Sequence, residues 1–455
     1  MRTTIIPIDL PSHPKNNSQL DLQAIAVYAA LGFFLDDDTF YTDHNALNPG
    51  RIYPDTDPPK PWFEWHYEPR DISFEQAVDE FGELFEAITH ENLSARKIIL
   101  PLSGGLDSRT QAVALKGHKN VFTYSYHFQG GHDETRYGRQ IAAAMGWEFE
   151  AFSIQRGYLW NRIEDLARIN RCYSEFTHPR QMAIFDQFSS MGDIFYLGHW
   201  GDVLFDDMGV LDDLPEEQQI DIILKKIIKK GGAELGAALW EAWGLPGDFK
   251  TYLYERVSTL LKAIHINNAN ARIRAFKSLY WAPRWTSVNL SIFSAKHPLV
   301  LPYYDERMCK FICTIPEKHL AGRQIQIEYI KRKAPELARI PWQPVDPCNL
   351  YNPEKFRSLR CLPLRAWRKA VKIARSRLLN KPFIQRNWEL QFVGKENETN
   401  LEVWLFENEA FKTFMPQDLV ASTYDNFRQK DPVYYSHAVS MLLTLSVFTK
   451  LQKQK

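Results

Sequence analysis

The chain has 455 residues, and 55 Lys and Arg balance 55 Asp and Glu, so its formal net charge is zero. That length accommodates two or three domains with ample core, and the charge balance gives no global case for a nucleic-acid partner. The five cysteines, Cys172, Cys309, Cys313, Cys348 and Cys361, are odd in number and scattered, which argues against a disulfide framework and fits a reducing cytosol.

Met1 to Leu10 lacks a basic start and a long apolar run, so no signal peptide is read there. No stretch approaches the roughly 18 apolar residues of a spanning helix, and a cytoplasmic location is expected. Residues 1–70 are rich in turn formers. Leu20 to Phe34 reads as a helix. The triplet Asp36-Asp37-Asp38 reads as a solvated turn into a strand at Thr39-Phe40-Tyr41. Pro54 to Pro61, with four prolines, reads as a linker. Ser73 then caps a helix from Phe74 to His90, whose Phe74, Ala77, Val78, Phe81, Leu84 and Phe85 form one apolar stripe.

From Lys97 strands and helices alternate. Strand 97–102 leads to helix 109–117, strand Val121–His127 to helix Asp133–Met145, and strand Glu148–Ile154 to helix Tyr158–Arg168. Helix Arg180–Met191 leads to strand Asp193–Leu197. Such alternation predicts an α/β fold: a parallel sheet with helices on both faces and ligands at the carboxyl ends of its strands. Beyond residue 211 the chain reads as mostly α, with helices at Glu216–Lys229, Phe249–Ile266, Asp305–Ile315 and Ile325–Lys333, and a last one at Tyr434–Leu451. Cys309 and Cys313 lie one turn apart without a Cys/His partner pair, so they read as half-buried helix residues rather than a zinc site. Arg357 to Arg386 is strongly basic and interleaved with Leu364, Trp367, Val371, Leu378 and Leu379. It reads as a solvated helix face or as a contact for an anionic substrate or a membrane surface.

Two strand-end loops carry the chemistry. The first, Leu102-Ser103-Gly104-Gly105-Leu106-Asp107-Ser108, stands between a buried strand and a helix start. Its glycines let backbone N–H groups approach an anion, the helix N-terminus adds a favourable field, and Ser103 and Ser108 add hydroxyl donors. Asp107 would repel a phosphate unless a cation lies between, and Mg²⁺ is the natural bridge. The second, Leu197-Gly198-His199-Trp200-Gly201-Asp202, again places glycines and an acid after a strand. Asp107 and Asp202 together can hold one Mg²⁺.

The first loop lacks Gly-Lys-Ser/Thr and is not a Walker loop. It resembles the Ser-Gly-Gly-x-Asp-Ser PP-loop of ATP pyrophosphatases, which split ATP into AMP and pyrophosphate. With the second loop, and with Phe293-Ser294-Ala295-Lys296-His297-Pro298-Leu299-Val300-Leu301-Pro302-Tyr303-Tyr304-Asp305 resembling a family Pro-Phe-Leu-Asp segment, the chain is similar to the synthetase domain of the asparagine synthetase family, which includes β-lactam synthetases and lasso-peptide cyclases. The resemblance spans roughly residues 75–345. It implies three parts: a truncated glutaminase-like remnant and linker at 1–70, a synthetase domain at 71–345, and a basic, mostly helical extension at 346–455. Residues 21–53 are similar to the end of the family's glutaminase domain, but Arg2 stands where its nucleophilic cysteine would be, so nitrogen would come from ammonia or an amine, supplied in one reading by a separate glutaminase.

The resemblance further implies ATP and Mg²⁺ as cofactors and an acyl-adenylate route to an amide. Ser103, Gly104, Gly105 and Ser108 would hold pyrophosphate, and Asp107 and Asp202 the metal. Leu102, Tyr124 and Gly198 would line the nucleotide. His199 replaces a family glutamate or tyrosine and would serve as base for the attacking amine. The phosphate-stabilising lysine falls on Lys331 or Lys333, with Arg323 as another cation. Asp133-Glu134 resembles a family pair that caps the next helix. The acyl substrate would be a small-molecule or glycan carboxylate, such as a uronic acid in polysaccharide assembly, or a secondary-metabolite precursor. Another ATP pyrophosphatase, of the NAD synthetase or tRNA-modifying kind, and a non-catalytic ATP-binding scaffold are the competing readings.

Overall fold

The computed structural model describes residues 10–14, 18–54, 58–91, 93, 96–379 and 383–453. Arg2, with most of the Met1–Leu10 start, and Lys381 of the basic run lie outside them. Five strands, β1 (Ile98–Pro101), β2 (Val121–Phe128), β3 (Glu148–Ile154), β4 (Ile194–Tyr196) and β5 (Leu299–Val300), form one parallel sheet in the order β3-β2-β1-β4-β5. Ile98 pairs with Val121 on one side and Ile194 on the other, which centres β1.

The near-continuous apolar runs of β1 and β4 follow from burial on both faces. Successive side chains serve opposite cores: Ile99 and Phe195 join one, and Ile98, Leu100, Ile194 and Tyr196 the other. The second core is completed by the Phe74–His90 helix, whose Ala77, Val78, Phe81 and Phe85 are buried and whose Ser73 side chain accepts the Gln76 N–H as its cap. The first core takes in both the Leu22–Leu31 helix, buried from Ala24 to Leu31, and the last helix, Pro432–Lys453. Phe40 stacks on Phe448 with ring centroids 3.9 Å apart.

Several local expectations change. Thr39–Tyr41 forms no strand, only a single bridge between Leu20 and Tyr41, because the Thr39 hydroxyl donates to the His44 carbonyl at 2.7 Å and folds the segment on itself. Asp38 is not a solvated turn residue, since both its oxygens take Arg256 at 3.1 Å. The proline-rich stretch contributes an edge pairing, Arg51–Ile52 against Lys60–Pro61. The helix expected from Tyr158 starts at Ile163, after a turn at Gly157 (φ 74°). Arg180–Gln187 is a 3₁₀ helix broken at Ile184. Cys313 is buried and Cys309 partly so, on the Glu306–Cys313 helix, both as free thiols. No helix among the described residues is long and apolar enough to cross a membrane.

Candidate active site

The sheet order explains where a ligand sits. From β1 the chain moves outward through β2 and β3, then returns to the other side of β1 as β4 and β5. β1 and β4 are therefore neighbours at a topological switch point, where the loops beyond their carboxyl ends part and leave a crevice. Both glycine-rich loops follow these two strands. They line a cleft of about 960 Å³, ample for a nucleotide with a second reactant.

The first loop is held open by its own side chains. Ser103 and Ser108 hydroxyls lie 3.1 Å apart, and the Gly105 N–H donates to Ser103 Oγ at 3.2 Å. Leu102 N donates to the Tyr124 carbonyl at 2.8 Å, fixing the loop to β2. Gly104 is confined: a Cβ there would stand 2.5 Å from Gln343 and 2.9 Å from Tyr137. Leu102, Ser103, Gly104, Asp107, Ser108 and Tyr124 line the cleft. The Tyr124 hydroxyl is buried without a hydrogen-bond partner among the described residues, so it offers a ligand an unused donor.

The second loop is built against Asp107. A Cβ at Gly198 would lie 3.0 Å from Asp107 Cβ, and one at Gly201 would strike the Asp107 carboxylate and come within 2.7 Å of the Tyr303 ring. Only glycine lets the two loops close to this distance. Asp107 Oδ1 accepts from Arg323, and from Gln326 Nε2 at 3.2 Å; Gln326 Nε2 also donates to Tyr303 OH at 2.6 Å. Burial pushes the Asp107 carboxyl up to about 6; Arg323 opposes the shift and Asp202 adds to it. Asp202 is exposed in the cleft. Two carboxylates on facing loops, close enough for one to raise the other's proton affinity, fit a Mg²⁺ ion that takes its other ligands from phosphate and water. Among the described residues no group of three or more His, Cys, Asp or Glu is placed to hold a metal ion by itself.

His199 opens onto the cleft, but the surrounding protein pushes its imidazole down to about 4, against the pull of Asp202. The direction of this shift favours the neutral ring at pH 7. Lys331 and Lys333 are not brought to the cleft. Lys331 Nζ lies 3.9 Å from Glu328 and Lys333 Nζ 3.1 Å from Glu86, on the outer part of the Gln324–Lys333 helix. Arg323, at that helix's other end, does reach the site. Asp133 caps the Thr135–Met145 helix, accepting the Thr135 N–H at 2.9 Å. Asp305 similarly caps the Glu306–Cys313 helix and binds Arg307 at 2.9 Å.

Sequence reasoning missed two cations of the cleft lining, Arg180 and Lys277. Lys277 lines the cleft, with Nζ 5.2 Å from the Trp281 ring and 5.8 Å from the Trp200 ring. Burial pushes its ammonium down to about 8, although Asp202 draws it up. It opens a π-helical stretch, Lys277–Thr286, that carries Pro283 and brings Trp281 and Trp285 to the same wall. The available signal was a proline in an aromatic-rich helix, since π-turns gather at functional sites.

Among solved structures, an NMN synthetase from Francisella tularensis aligns over 46% of this chain and 94% of its own, with 13% identity and a TM-score of 0.23. No curated protein sequence matches significantly. Residues 80–192 match the family model described as asparagine synthase, a span that contains the PP-loop and ends just before β4. Residues 80–192 of this chain are therefore similar to the asparagine synthase family, and the matched span places its glycine-rich loop at the carboxyl end of a central parallel strand.

Proposed function

We propose that the chain is an AMP-forming carbon–nitrogen ligase that adenylates a carboxylate and passes the acyl group to ammonia or an amine. The observation that carries this reading is the packing of Asp107 against Gly198 and Gly201, which puts the PP-loop, Asp202 and His199 around one cleft. A carboxylate oxygen of the substrate attacks the α-phosphorus of ATP, the bond to the β-phosphate breaks, and pyrophosphate leaves. The Ser103 and Ser108 hydroxyls and the loop N–H groups hold the departing pyrophosphate. Asp107 and Asp202 would hold Mg²⁺, which supplies positive charge to the phosphate oxygens when bound. Adenine would pack by Leu102 and Tyr124.

The nitrogen nucleophile then attacks the acyl carbon and AMP departs. His199, neutral at pH 7, has a lone pair available for the amine's proton. Lys277 faces the same space and suits the anionic charge of either the substrate carboxylate or the adenylate. The cleft wall of Trp281 and Trp285 favours a substrate with a flat or ring-shaped face, which supports a uronic-acid sugar as the carboxylate.

Isotope exchange between pyrophosphate and ATP tests this directly, with a panel of uronic-acid sugar nucleotides, acidic amino acids and peptides. Exchange that depends on one carboxylate and disappears in Asp107→Ala is the expected result. Binding of Mg·ATP without exchange, across a panel widened with host extract, would replace the enzyme reading with a nucleotide-binding scaffold.

A further inference from the structure

The Leu362–Arg377 helix is sixteen residues long and buries none of them. Leu364, Val371 and Ala374 are half-buried on its inner side, but its other apolar side chains stay outside. Trp367 is 63% exposed and Leu362 51%, and Leu378, directly after the helix, is 82% exposed. Leu362, Ala366, Ala370 and Ile373 follow helical spacing along the outward face, with Trp367 beside them. The inward side is mixed, with Leu364 and Val371 beside arginines. There Arg368 binds the Asp346 carboxylate at 2.6 Å and Arg365 lies 6.0 Å over the Phe356 ring.

The helix carries six cations, Arg365, Arg368, Lys369, Lys372, Arg375 and Arg377, and no acid. Lys369 and Lys372 are exposed beside the apolar face and Arg377 is exposed at its C-terminal end. An apolar stripe containing Trp and Leu, rimmed by Lys and Arg, matches the interface between acyl chains and anionic headgroups. A second copy of the same face would set like charges against each other, so self-association is disfavoured. Lys372 also lines the cleft.

We propose that the Leu362–Arg377 helix, with Leu378 and Leu379, docks this protein on an anionic lipid surface and sets the cleft mouth beside the headgroups. This stands apart from the reaction assigned above, because it requires only the exposed face and its charges.

The test is co-sedimentation of the full chain with phosphatidylcholine vesicles, with and without phosphatidylglycerol. Binding is expected only to the anionic vesicles, weakened by salt. The double variant Trp367→Asp with Leu378→Asp should weaken it by about ten-fold or more, and Lys369→Glu with Arg377→Glu should do likewise. Both variants alter exposed positions, and unchanged Mg·ATP binding would confirm that they fold. No sedimentation with anionic vesicles, or equal sedimentation of the double variants, would overturn the proposal. So would a wild-type dimer, or capture of an acidic protein without lipid binding, that the Asp variants abolish.

Discussion

At the scale of single residues, the proposed mechanism gives separate duties to two groups that sequence order alone weighs differently. On the proposed mechanism His199 serves the amine half-reaction, so His199→Ala should leave carboxylate-dependent pyrophosphate exchange within a few-fold of the parent while amide formation falls about 100-fold. Measuring both half-reactions on one preparation decides it, and an equal loss in both would move His199 out of the base role. On the same proposal Lys277, which lines the cleft, meets the anionic charge of the first half-reaction. Lys277→Met should cut exchange by about 100-fold, through loss of a charge held in a poorly hydrated wall, with Mg·ATP affinity little changed. Undiminished exchange would make Lys277 a spectator. That the Ser103–Ser108 and Gly198–Asp202 loops would lie at strand ends beside one cleft was legible because glycines with an acid immediately after a buried apolar run are a local signal. Lys331 was misplaced because motif order carries no length along a helix. Eight residues beyond Arg323 is ~12 Å of helix axis, which takes Lys331 to Glu328 and the outer surface rather than to phosphate.

At the scale of elements, the second loop is pinned from behind by an ion pair that the sequence conceals. Arg274 is 2% exposed, binds both Glu317 oxygens at 2.6 and 2.7 Å, and donates to the Asp206 carbonyl at 2.9 Å and the Val203 carbonyl at 3.3 Å. Val203 and Asp206 follow Asp202 on the loop exit, so this pair sets where Asp202 points. Glu317→Gln would leave a buried guanidinium without its counter-charge. It should destabilise the fold by about 3–5 kcal/mol and weaken Mg·ATP binding as well. A urea midpoint shift worth under about 1 kcal/mol would show that the carbonyls alone suffice. Arg109 does the same for the first loop, donating to the Leu337, Ile340 and Pro341 carbonyls at 3.1, 3.0 and 3.0 Å. The strand–helix alternation was readable because unbroken apolar runs and glycine turns are local signals. These arginines were not, because a buried Arg looks in sequence like any exposed one, and its acceptors lie in distant segments. The π-helical wall was missed for a related reason: its extra residue per turn breaks the 3.6-residue period on which a helix face is recognised.

At the scale of the whole molecule, the early and late helices share the core that backs the sheet. The Leu22–Leu31 and Pro432–Lys453 helices meet where His437 Nε2 donates to the Ala29 carbonyl at 3.0 Å, and the Phe40–Phe448 stack lies in the same core. This union was the least legible feature, since nothing in residues 20–41 names a partner some 400 positions away. It carries a pH signature. Burial pushes the His437 imidazole from its ordinary 6.5 down to about 4, with Glu175 pulling it up and Lys229 pushing it further down. Above pH 6.5 the ring is neutral in both the folded and unfolded chain and contributes no pH dependence. Between 6.5 and about 4 the unfolded chain takes up a proton that the folded chain refuses, so the fold loses stability as pH falls. Other groups titrate here with the opposite sign: the Asp38 carboxyl, raised to about 6, favours the fold as it protonates. The clean quantity is therefore the difference between the parent and His437→Gln, followed by urea unfolding at several pH values. That difference should shift against the parent by on the order of 2 kcal/mol between pH 7 and pH 4, even if Gln lowers stability uniformly through imperfect packing. A difference that stays flat over this range would mean that the ring protonates in place and that the two helices hold together without a neutral imidazole between them.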